Sequence, residues 1–105
     1  MATVEIYRVR IDPARSERLL EIRAAAVAEF QEQVPELLQA DLVRLDDEVW
    51  LDILTWSEPV EPERLGKAAE CAPTSAEMHG LIAGELGHDR GELVHSTGSA
   101  WATAR

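Results

Sequence analysis

Along the first third of the chain the apolar positions change period once. In "TVEIYRVRI" (3–11) they alternate, with Val4, Ile6, Arg8 and Arg10 on one face and Glu5, Tyr7, Val9 and Ile11 on the other, the period-two pattern of a β-strand. Beyond residue 13 the period lengthens: Leu19, Ile22, Ala26, Val27, Phe30 and Val34 recur at steps of three and four, which lines one side of an α-helix. Asp12 and Pro13 mark the switch. An aspartate accepts hydrogen bonds from the first free amides of a helix, and proline suits the first helical position. This helix should stop near Pro35, because the residue before a proline is pushed out of helical geometry.

Two further β-like runs, "ADLVRL" (40–45) and "VWLDILTW" (49–56), flank the polar turn "DDE" (46–48), the pattern of a β-hairpin. A three-residue loop pairs Leu45 with Val49, Arg44 with Trp50 and Val43 with Leu51, and places Arg44, Trp50, Asp52 and Trp56 on one face. A slip of one residue would move Arg44 to the other side. The acidic stretch "EPVEPE" reads as a solvated lead-in to a helical region that Pro73 divides in two. The second piece opens on Thr74 with Glu77 three residues later, a capping-box pattern, and its apolar positions run through Met78, Leu81, Ile82 and Leu86. "GELVHSTG" (91–98) reads as the last strand, giving a domain over 1–98 and a polar tail, 99–105, that carries Trp101.

The order strand, helix, strand, strand, helix, strand implies an α+β, ferredoxin-like βαββαβ fold: a four-stranded antiparallel sheet with its helices on one face. Both faces of the third strand are mostly apolar. A sheet covered on one side only shows clean alternation. The helices cover one side, so the other requires a second cover, and a second copy of the sheet supplies it in a two-fold homodimer.

Composition narrows the partners. The 105 residues suit one domain, and the net charge of -10, from 20 acidic against 10 basic residues, repels nucleic acid and anionic membrane surfaces alike. No run approaches the roughly 18 apolar residues of a membrane span. The N-terminus lacks the order of a signal peptide, and the lone Cys71 forms no intrachain disulfide, so a cytoplasmic protein is expected. Cys71 reads as a small buried hydrophobe.

No phosphate-binding glycine loop, nucleophile elbow or paired metal-ligand motif is present, so any chemistry must come from scattered residues around one pocket. Asp52, a carboxylate in a buried strand, either pairs with an arginine such as Arg44, Arg8 or Arg10, or is poised beside two indoles as a base or hydrogen-bonding group. Trp50 and Trp56 are core aromatics or the walls of a flat, aromatic-friendly cavity. His79, beside Met78 on the second helical region, is a surface residue or an acid-base group facing that cavity. His95 and His88, the latter placed in the turn before the last strand, have weaker claims.

A first helix ending in "QVPELLQADLVR", then a turn and a strand closing on "DILTWSE", resembles the antibiotic biosynthesis monooxygenase family of the dimeric α+β barrel superfamily over roughly residues 3–98. The resemblance implies homodimers whose sheets pack face to face and a pocket between sheet and helices. It further implies oxidation of polycyclic phenols by molecular oxygen as co-substrate, with no flavin, metal or haem. Family quinone-forming members carry an asparagine four residues before the strand-ending tryptophan; here Asp52 stands there and Trp56 keeps the tryptophan. The resemblance makes Asp52, Trp56 and His79 the catalytic candidates, with Trp50, Leu54, Arg44, Tyr7, Phe30 and Met78 contacting a small aromatic substrate. A haem-degrading branch uses a second-helix histidine, for which His79 is the nearest candidate, but the first strand offers Tyr7 rather than that branch's asparagine. A polyketide cyclase or isomerase working by proton transfer, and a non-catalytic small-molecule-binding dimer, are the competing functions.

Overall fold

The structure, a computed structural model, describes residues 2–97; the tail and Trp101 lie outside them. Its elements are β1 (Thr3–Ile11), α1 (Pro13–Gln33), β2 (Leu37–Arg44), β3 (Val49–Trp56), α2 (Pro62–Glu70), α3 (Pro73–Gly80) and β4 (Ile82–Glu92). The four strands form one antiparallel sheet in the order β2-β3-β1-β4, the ferredoxin-like arrangement.

Local chemistry sets the element ends. Asp12 caps α1 by accepting from the Ala14 amide at 2.9 Å, and Pro13 opens the helix. In the β2–β3 turn, Asp46 Oδ1 accepts from the amides of Glu48 at 2.9 Å and Val49 at 2.7 Å. Those bonds lock the hairpin register, with Arg44 opposite Trp50 and Val43 opposite Leu51, as the spacing predicts.

Two expectations fail at the C-terminal end. The last strand is Ile82–Glu92 rather than 91–98, and α3 stops at Gly80 instead of running on to Leu86. β4 is an edge strand with little alternation; its strand state comes from backbone pairing with β1, across register shifts at Arg8/Val9 and Arg10/Ile11. The Thr74–Glu77 capping box does not form, because Pro73 takes the first helical position and Thr74 already lies inside α3. Glu29 of α1 supplies the acceptor instead, taking the amides of Thr74 at 2.8 Å and Ser75 at 3.3 Å on one oxygen. Glu77 bonds Arg18 of α1. Cys71, expected to be buried, is exposed at the C-terminus of α2.

The core is two clusters, not one. Val9, Ile11, Leu19, Ile22, Ala26, Trp50 and Met78 form the first. Val34, Leu37, Trp56 and Ala68 form the second, with Phe30, Leu54, Val60 and Leu65 packed against it. Trp50 and Trp56 therefore anchor different clusters, and Asp52 and Leu54 span the gap between them on the helix-covered face of β3. On the opposite face, Val4 and Ile6 of β1 and Val49, Leu51 and Ile53 of β3 are only half-buried.

Candidate active site

The gap between the two clusters is a cavity of about 420 Å³, walled by the sheet on one side and by α1, α2 and α3 on the other. That size fits a small organic molecule. Most of its wall is apolar, and Phe30, Leu54, Trp56 and Met78 contribute to it.

Asp52 lies on the wall, and its partner is Arg23 of α1. The guanidinium meets the carboxylate in a two-pronged contact, with Nη2 to Oδ1 at 2.7 Å and Nη1 to Oδ2 at 3.1 Å. The two side chains are only 12% and 13% exposed, so the charges are held out of bulk water by each other. Arg23 Nη1 also reaches Met78 Sδ at 3.6 Å, which ties the pair to α3. The arginines weighed from the sequence, Arg44, Arg8 and Arg10, are not the partner. Arg23 was missed, although it follows Leu19 by four and precedes Ala26 by three, inside the apolar stripe of α1.

The structure brings together Asp52, Trp56, His79, Leu54, Tyr7, Phe30 and Met78 around this cavity. Trp50 and Arg44 are not among the residues that line it. Trp50 is buried in the first core cluster, and the Arg44 guanidinium sits over its ring, 4.6 Å from the centroid. His79 stands exposed at the cavity rim, in the last turn of α3. The Trp56 indole N–H is buried without an acceptor among the described residues, as is that of Trp50. An unmet donor of this kind costs about 1–3 kcal/mol.

A second polar group occupies the β1–β4 end. Tyr7 and His88 stack in parallel, their centroids 4.3 Å apart and planes 4° off. Glu5 Oε2 accepts from the Tyr7 hydroxyl at 3.4 Å and meets His88 Nε2 at 3.0 Å, with Arg90 Nε at 3.9 Å. Burial, together with the charge and hydrogen bond of Glu5, pushes the Tyr7 phenol up to about 12. His88 thus lies within β4 rather than in a turn, and neither it nor Glu5 stood out in the sequence. The alternation of β1 already set Glu5 beside Tyr7, but with β4 misplaced nothing in the sequence brought His88 to them. Among the described residues, no group of three or more His, Cys, Asp or Glu side chains is placed to hold a metal ion.

The ferredoxin-like fold of this chain is shared by solved structures of other proteins. A protein from Chloroflexus aurantiacus J-10-fl, described provisionally as an antibiotic biosynthesis monooxygenase, has this fold at 18% identity and TM-score 0.62, over 91% of this chain and 96% of its own. A similarly described protein from Bordetella bronchiseptica superposes at TM-score 0.70 with 15% identity, over 90% and 98%. SnoaB, a cofactor-independent oxygenase from Streptomyces nogalater, matches at TM-score 0.59 with 16% identity, over 91% and 96%. No protein-family model and no curated protein matches the sequence. At these identities the likeness is one of fold.

Proposed function

We propose that this chain is a cofactor-independent oxygenase of the antibiotic biosynthesis monooxygenase family, acting on a flat phenolic substrate. The observation that carries the reading is the cavity itself, with Trp56 and Phe30 on a mostly apolar wall and one buried ion pair, Arg23–Asp52, set into it. SnoaB, which shares the fold, is a cofactor-independent oxygenase.

In this reading the aromatic wall holds the ring system and excludes water. Asp52, both oxygens engaged by Arg23, orients a substrate hydroxyl as a hydrogen-bond partner. The phenolate passes an electron to dioxygen and the radicals recombine on the ring. One oxygen atom stays as a quinone carbonyl, the other leaves as water, and the substrate supplies the electrons. His79 assists at the rim. The half-buried apolar face of β1 and β3 pairs with a second copy to form the homodimer.

Oxygen uptake with a panel of polycyclic phenols tests this, with one dioxygen consumed per quinone formed as the expected result. Equal turnover under strict anaerobiosis would assign the cavity to proton transfer, as in a cyclase or isomerase. Tight binding without turnover would make it a sequestering site.

A further inference from the structure

We propose that Glu5 and His88 form a proton exit from the cavity, accepting the proton of a bound phenol and delivering it to solvent. The proposal rests on the reading of the cavity as a phenol site and adds the group that ionises the phenol.

Three observations place the exit. Glu5 lines the cavity and its side chain is 12% exposed, whereas His88 is absent from the lining and its side chain is 38% exposed. One carboxylate oxygen joins them at 3.0 Å, so a continuous contact runs from the cavity wall to the sheet's exposed edge. Tyr7 holds the imidazole flat against its own ring, which fixes Nε2 toward Glu5.

Roles divide by chemistry. The Tyr7 phenol, raised to about 12, stays protonated at neutral pH and donates to Glu5, so it is a positioning residue and not the acceptor. Asp52 already gives both oxygens to Arg23, whereas the Glu5 contacts all fall on Oε2. The ligand O–H bond breaks toward Glu5 Oε1, and the carboxyl turns about its Cγ–Cδ bond. Its O–H bond breaks as an N–H bond forms at Nε2 of His88 in the Nδ1–H tautomer, and the imidazolium releases its Nδ1 proton to water. Beside the bound phenolate the pair is then carboxylate plus imidazolium, which cancels the charge that Glu5 alone would set against an anion. The other charged or titratable groups facing this end are Arg90 and Glu85 of β4, Asp52 of β3 across from Tyr7 with its partner Arg23 of α1, and, at the rim, His79 of α3. The ligand class is a neutral, flat phenol, since Glu5 and Glu85 repel a carboxylate or phosphate entering as an anion.

The test uses the full chain and 2-naphthol, a flat phenol that is un-ionised in neutral water and whose phenol and phenolate differ in ultraviolet absorption, with its methyl ether as the ligand that has no proton to give. Histidine NMR at neutral pH should show the imidazolium-to-imidazole ratio of His88 rising about tenfold with 2-naphthol, but not with the ether, as the bound ligand takes the phenolate spectrum. Glu5→Gln should keep ligand binding and lose both responses, and His88→Gln should keep binding and leave the ligand as phenol. The same His88 response with 2-naphthol and ether, or an unchanged ligand spectrum in both variants, overturns the proton exit and leaves the phenol-site reading standing. Failure of both ligands to bind the wild-type chain sinks that reading, and this proposal with it.

Discussion

Replacing Arg23 by methionine removes one half of the most buried ion pair described while keeping its length and most of its apolar stem. Asp52 would then be left 13% exposed beside an apolar wall, with its two hydrogen bonds of 2.7 and 3.1 Å gone. Stranding a buried charge costs about 3–5 kcal/mol, and the low end applies because the carboxylate borders a cavity that water can enter. For a domain of this size about 3 kcal/mol lowers Tm by roughly 10 to 20 °C. The double variant Arg23→Met with Asp52→Leu removes both charges and should recover to within about 1 kcal/mol of the wild type, because an apolar pair of similar volume needs no counter-charge. Urea and thermal unfolding followed by tryptophan fluorescence measure all three chains. A single variant that loses less than about 1 kcal/mol, or a double variant as unstable as the single, would refute the view that the pair holds itself out of water.

Other expectations can be checked separately. Tyr7 is the only tyrosine, so an ultraviolet titration reads it directly; its phenol should ionise near the stated value of about 12, and Glu5→Gln should bring it down only part of the way, because burial is the larger cause. Burial raises the Glu29 carboxyl, but the hydrogen bonds from Thr74 and Ser75 outweigh that and leave it below its usual range. A depressed folded value means that the stabilisation is complete above the ordinary glutamate range and is lost as pH falls through the folded value. The protection of the Thr74 and Ser75 amides, taken as the intrinsic exchange rate over the observed rate at each pH, should therefore fall in acid, while in Glu29→Gln it should be low already at neutral pH. Ile53→Lys, at the middle of the half-buried outer sheet face, should shift the sedimenting species from dimer to monomer with the fold intact by circular dichroism; a wild-type chain that sediments as a monomer at micromolar concentration would remove the homodimer.

Wherever neighbours in sequence are also neighbours in space, the pattern was readable. The alternation of β1, the Asp12–Pro13 start of α1, the β2–β3 register and the two apolar faces of β3 all rest on contacts within a few residues, or on a period that burial imposes. Those features were enough for the ferredoxin-like order, and they made Asp52 conspicuous. β4 escaped because an edge strand with glycines at 84, 87 and 91 can be held by the backbone of β1 without burying a stripe of its own. The capping of α3 escaped for a related reason, since its acceptor, Glu29, comes from 45 residues upstream.

The site divides the same way. Asp52, Trp56, Phe30 and Leu54 could be gathered from sequence because helix and strand periods point them inward. Only the packing of α1 over the sheet decided that Arg23, and not Arg44, meets Asp52, whereas Arg44 over Trp50 follows from the β2–β3 register. Only the docking of β4 against β1 set His88 on Tyr7 and Glu5, across 83 residues of chain. Periodicity tells which way a side chain faces. Which side chain it meets depends on how the elements pack, and that packing splits the core into two clusters with a cavity between them.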